Sequence, residues 1–172
     1  MKPNFNYIEE KATAILKKFN LYEPGFDIKE LTKSLDIKLI YDTLADDVAG
    51  FFVMTDNQSI ITINRDNKPV RKRFTIAHEI GHSVLHSKEQ PIFIDKTPKV
   101  MFRNIASSTG EIFKEREANA FAAALLMPKE LIEQELQNAP NDINKAIRYL
   151  ADTFNVSENA MSFRLSNLGY GI

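Results

Sequence analysis

Two histidines and a glutamate in the stretch Phe74-Thr75-Ile76-Ala77-His78-Glu79-Ile80-Gly81-His82 carry the spacing His-Glu-x-x-His. On a helix His78 and His82 stand one turn apart, about 6 Å along the axis and on one face. Two imidazoles so placed can close on one zinc ion at about 2.1 Å each. Glu79, next to the first of them, is placed to hold a water there as general base. All three histidines of the chain, His78, His82 and His86, fall in this one segment. The competing reading is an ordinary amphipathic helix with polar residues by chance, and an acidic helix downstream argues against it.

Catalytic zinc takes three protein ligands and leaves a fourth position open. His86 is not the third: on a continued helix it lies about 12 Å from His78, and it lacks the glycine turn that precedes a third histidine in the longer zinc motifs. A supporting role behind the metal, or one at the helix C-terminus, suits it better. The remaining source is Glu115-Arg116-Glu117-Ala118-Asn119. Glu115 and Asn119 share a helix face, while Glu117 points roughly 200° away from Glu115. A carboxylate ligand with an amide one turn on can bind the metal and orient a ligand histidine. Glu115 is therefore the preferred third ligand and Asn119 the orienting group, with Glu117 the alternative ligand.

Helices and a small sheet must hold these groups. Residues 5 to 20 place Ile8, Ala12, Ile15, Leu16 and Phe19 at helical spacing. Pro24-Gly25 breaks that helix, and Asp27, with Glu30 three residues on, caps a short one through Leu35. Ile37, Leu39 and Tyr41 alternate as in a strand. Two β-rich runs follow, Val48 to Thr55 and Ile60 to Asn64, joined by a turn at Asp56-Asn57-Gln58-Ser59. Beside a zinc helix, the strand from about Gly50 to Thr55 would offer an edge to an extended peptide. Residues 87 to 110 show no clear period and read as an irregular lid or binding loop. Glu111 to Leu126 is an alanine-rich helix with Phe121, Leu125 and Leu126 on its apolar face. Pro128 fits the first turn of a helix to about Gln137. Asn141-Asp142 caps another through Phe154, and Ser157 caps the last, which ends before Gly169.

At 172 residues the chain suits one domain with a small appendage, divided here as 1–138 and 139–172. A hydrophobic fraction of 44% and a charged fraction of 26% are those of a folded soluble protein. A net charge of −1 makes no electrostatic case for nucleic acid or an anionic membrane. The absence of cysteine excludes disulfides and thiolate zinc sites. Without an apolar leader or a membrane-length apolar run, a cytoplasmic location is expected.

Three blocks of sequence resemble the ImmA/IrrE-type metallo-endopeptidases: Arg73 to His82 with Leu85-His86; Glu115-x-x-Ala118-Asn119-x-Phe121-Ala122-Ala123-x-Leu125-Leu126-Met127-Pro128; and Leu150 to Gly169, with its Phe154-Asn155-Val156-Ser157 turn. The resemblance implies an α+β, zincin-like peptidase domain, its small sheet packed on helices that include the motif helix, followed by helix-turn-helix-like C-terminal helices. It implies zinc on His78, His82 and Glu115, with Glu79 catalytic. It also implies a protein substrate, a helix-turn-helix repressor of a mobile element or a stress response, cut as an anti-repressor would require. For the oxyanion, Tyr149, Arg148 or a group from residues 87 to 110 could donate. The alternative function is a DNA-binding or protein-binding regulator with a catalytically silent zinc site. Its would-be recognition helix, Asn159 to Leu168, offers only Arg164 as a base and follows Glu158, so direct DNA binding is not expected.

Overall fold

The computed structural model describes residues 3–56, 58–86, 92–96 and 109–171. Helix α1 (Phe5–Lys18) buries Ile8, Ala12 and Leu16, one stripe at four-residue spacing, and Asn4 Oδ1 caps it by accepting from Tyr7 N at 3.2 Å. Asp27 caps α2 (Ile28–Ser34) by accepting from Lys29 N at 2.8 Å. Four strands then form one sheet: β1 (Ile37–Asp42), β2 (Val48–Met54), β3 (Ser59–Asn64) and β4 (Ile92–Lys96), in the order β1-β3-β2-β4. β1 runs parallel to β3, and the other pairs are antiparallel. The β2–β3 hairpin closes with Thr55 N donating to Gln58 O at 2.9 Å.

Two expectations change here. The Gly50–Thr55 stretch is no open edge, because β4 pairs with β2 from Val48↔Lys96 to Val53↔Ile92. Ile92–Lys96, read above as part of an irregular loop, supplies that strand. Short and placed at the rim, it takes its order from β2's hydrogen bonds rather than from an alternating pattern of its own. Thr109 and Gly110 of the expected lid begin the next helix, and its residues 87–91 and 97–108 lie outside those described. A smaller shift concerns Pro128, which stands just before its helix as the cap residue.

Helix α3 (Pro69–His86) lies across β2 and β3 and packs most extensively on α4 (Thr109–Leu126). Side-chain bonds fix where α3 begins. Asn64 Nδ2 donates to Val48 O at 3.1 Å while its Oδ1 accepts from Asp66 N at 3.2 Å, so the β3–α3 turn is fastened to the start of β2. Arg73 Nη1 donates to Phe26 O at 2.7 Å, and its guanidinium lies 4.9 Å from the Phe26 ring centre. Glycines allow the close layers. A Cβ on Gly50 would stand 2.8 Å from Thr75 Cγ2, and one on Gly81 would stand 3.2 Å from Ala118 Cα.

The chain ends in α5 (Lys129–Leu136), α6 (Ile143–Phe154) and α7 (Glu158–Asn167). Asp142 and Ser157 cap the last two, and Asn155 takes the left-handed conformation (φ 53°) between them. Leu150, Ala151, Phe154, Met161 and Leu165 join one apolar cluster with Ile8, Leu16, Phe52, Ile76 and Phe121. No helix among the described residues is long and apolar enough to cross a membrane.

Candidate metal centre

His78 and His82 come together because α3 is helical through Gly81, and Glu115 arrives from the facing helix α4. The packing of Gly81 on Ala118, three residues after Glu115, lets that second helix come close enough. His78 Nε2 lies 3.0 Å from His82 Nε2 and 3.3 Å from Glu115 Oε2. His82 Nε2 lies 3.1 Å from Glu115 Oε1. All three ligand atoms fall within 4.8 Å of one another. Two imidazoles and one carboxylate on two helices form the donor set of an open zinc site, so the residues present fit such an ion.

Around this cluster the polar groups are ordered in a definite way. His78 Nδ1 lies 3.1 Å from Asn119 Oδ1, so an Nδ1–H donates to the amide and Nε2 is the atom turned to the cluster as a metal ligand. Glu79 is fully buried beside His78 in the chain. Burial also moves His82: desolvation lowers its pKa from 6.5 to about 4, against the raising effect of Glu115. For Glu115 burial works against ionisation, but hydrogen bonds from the two imidazoles and their electrostatic attraction outweigh it and hold the carboxyl at about 2. At neutral pH the centre therefore holds a neutral imidazole at His82 and an ionised carboxylate at Glu115, the states in which these groups ligate a cation.

Glu117 does not join the cluster. Its Oε2 lies 3.0 Å from His86 Nε2, and His86 Nδ1 lies 3.2 Å from His82 Nδ1. The sequence offered His86 a place behind the metal or at the helix C-terminus, without its link to Glu117. The available signal was that His86 continues the four-residue spacing of His78 and His82. Of the suggested oxyanion donors, Tyr149 OH donates to Glu135 Oε2 at 2.8 Å and Arg148 Nε to Glu158 Oε1 at 3.1 Å. Both are thus engaged with carboxylates of the C-terminal helices rather than with the histidines. Arg164, the base a DNA-reading helix would offer, is 8% exposed and bound to Glu9 and to Met127 O.

A cleft of about 560 Å³, which the sequence did not announce, opens beside Asn119. It runs between the start of α3 and α7, with Phe74, Met127, Val156 and Phe163 among its walls. Phe163 is 63% exposed.

Comparison with known proteins gives consistent results. A peptidase family model described as the IrrE N-terminal-like domain matches residues 32–166. The chain is 27% identical over 130 residues to an immunity region protein of Bacillus phage phi105, covering 76% of this chain and 74% of that one. It is 29% identical over 144 residues to the radiation response metalloprotease IrrE of Deinococcus deserti, covering 83% of this chain and 48% of that one. A solved transcriptional regulator of Mycobacterium tuberculosis superposes with a TM-score of 0.63 at 20% identity, over 94% of this chain and 46% of that one. The chain thus spans less than half the length of the last two. The expected α+β, zincin-like fold is the fold observed.

Proposed function

This chain belongs to the peptidase family of the IrrE N-terminal-like domain, and on that premise we propose that it is a zinc-dependent endopeptidase that cuts a helix-turn-helix transcriptional repressor at one or a few sites. The observation that carries the reading is the convergence of His78, His82 and Glu115 next to the buried Glu79. A zinc ion held by those three residues would supply Lewis acidity toward a water and a peptide carbonyl. Glu79 accepts the proton of the attacking water and returns it to the leaving amine. Asn119 holds His78 in the tautomer whose Nε2 faces the cluster.

Site-specific rather than general proteolysis is the expected outcome. A cytoplasmic protease with a tolerant cleft would damage its host, so alignment of the scissile bond should draw on binding energy from a remote surface. The cleft walled by Phe74 and Phe163 offers such a surface on the C-terminal helices. Because β3 and β4 flank β2 on both sides, an extended substrate segment would pair instead with β4, the outer strand on that side among the described residues. The phage relative, named for an immunity region, supports a repressor as substrate and an anti-repressor role.

The test is to load the purified protein with zinc and incubate it with a helix-turn-helix repressor from the same genome, and separately with casein. Discrete cleavage of the repressor and none of casein, lost in Glu79→Gln, is expected. Equal cleavage of both, or an undiminished Glu79→Gln, overturns the proposal.

A further inference from the structure

We infer that Glu117 and His86 form a hydrogen-bonded relay that fixes the tautomer of His82 and strengthens it as a metal ligand. The inference rests on the zinc-site reading above and assigns two positioning residues that act only through His82. Three contacts in series carry it. His82 turns Nε2 toward His78 and Glu115, at 3.0 and 3.1 Å. To offer a lone pair to a metal there, a neutral imidazole must keep its one proton on Nδ1. That Nδ1 lies 3.2 Å from His86 Nδ1, which must then be the acceptor. The proton of His86 is thereby assigned to Nε2, which points at Glu117 Oε2 at 3.0 Å. The two contacts beyond His82 thus hold one proton each, and the direction of the series follows from the ligand end.

The geometry is built rather than incidental. His82 and His86 are buried at 1% and 4%, on one stripe of α3, whereas the Glu117 side chain keeps 20% exposure at the far end. The charge at the end of the relay therefore stays partly hydrated, while the hydrogen bonds it polarises are dry. The two histidine ligands are consequently unlike. His78 donates to a neutral amide, Asn119 Oδ1, and His82 donates into a series that ends on a carboxylate. His82 becomes the more basic donor of the two.

Zinc affinity, measured by competition with a chromophoric chelator at neutral pH, tests this without reference to turnover. His86→Leu, which can neither accept nor donate, should weaken zinc binding by about 10–100-fold, and Glu117→Ala by about 10-fold. His86→Gln keeps an acceptor and a donor on one side chain and should recover most of the loss. Nitrogen-15 NMR of the zinc-loaded protein should show His86 with its proton on Nε2, and a mixture of His86 tautomers in Glu117→Ala. A role in packing alone would leave that signature in place. Should His86→Leu fail to fold, Glu117→Ala and Glu117→Gln probe the same relay from its partly exposed end. Loss of zinc from Glu117→Ala as complete as from Glu115→Ala would make Glu117 a ligand and overturn the relay. Wild-type affinity in the variants, with the His86 tautomer unchanged in Glu117→Ala, would overturn it equally. Wild-type protein that binds no zinc at all would instead remove the metal-centre reading on which it depends.

Discussion

Burial keeps the His82 imidazole neutral down to about pH 4, and the two imidazoles hold Glu115 ionised down to about pH 2. Both shifts make the metal-free protein sensitive to acid. For His82 the folded value lies below the unfolded 6.5, so the unfolded chain binds more protons between them. Stability is then unpenalised above pH 6.5 and falls as the pH drops toward 4, by about 3 kcal/mol in all. For Glu115 the contribution is present above pH 4.5 and lost as the pH falls toward 2. Urea unfolding of chelator-treated protein at pH 7 and pH 5 should show the first loss, and His82→Gln should flatten it. The catalytic assignment is tested one residue away. Glu79→Gln should keep zinc while turnover falls by about 10²–10⁴-fold, the usual share of a positioned general base. His78→Ala should lose the metal itself. Metal content and peptide-bond cleavage, measured on the same preparations, separate the two outcomes.

The site exists only because α3 and α4 approach closely, and Gly81 is where they do so. A Cβ there would stand 3.2 Å from both Ala118 Cα and Ala118 O, and 3.3 Å from Phe121 Cβ. Two effects oppose each other in Gly81→Ala. Alanine gains about 1 kcal/mol of helix propensity over glycine, while overpacking against backbone costs about 1–3 kcal/mol. Valine removes most of the propensity gain and adds bulk, so Gly81→Val should destabilise by about 3 kcal/mol. It should also weaken zinc binding by about tenfold or more, since the helix pushed away is the one that carries Glu115. Thermal unfolding and chelator competition check the two parts. Wild-type zinc affinity in a destabilised Gly81→Val would show that Glu115 follows its helix less tightly than this packing requires.

Arg164 on the last helix donates to both Glu9 oxygens at 2.7 Å, across 155 residues of sequence, and its Nε donates to Met127 O at 3.0 Å. The C-terminal helices are thereby tied to α1 and to the end of α4, over an apolar cluster that runs from Ile8 to Leu165. Arg164→Ala would leave the half-buried Glu9 carboxylate without this cation and should cost about 3 kcal/mol. The division at residue 138, drawn from the sequence, then separates two parts that should unfold together. In urea, far-ultraviolet circular dichroism and tyrosine fluorescence should trace one coincident transition, shifted to lower urea in Arg164→Ala. Two separated transitions would mean that the C-terminal helices unfold on their own.

Short-range rules made much of this molecule legible in its residues. A four-residue spacing puts His78 and His82 on one helix face wherever that helix lies, and the caps at Asp27, Asp142 and Ser157 satisfy backbone groups two or three residues away. The tertiary structure decided what such rules do not reach. α4 buries Ala118, Phe121, Ala122, Ala124, Leu125 and Leu126 over an arc of about 200°, with Glu115 and Glu117 near its two ends, so amphipathicity alone does not say which of them faces the histidines. Its packing on Gly81 turns Glu115 to His78 and His82 and leaves Glu117 to His86. Likewise the β-rich run at Val48 to Thr55 showed a strand but not its neighbours. Pairing partners are chosen by non-local hydrogen bonds, and here β3 and β4 take both sides of β2 and move the open edge of the sheet outward.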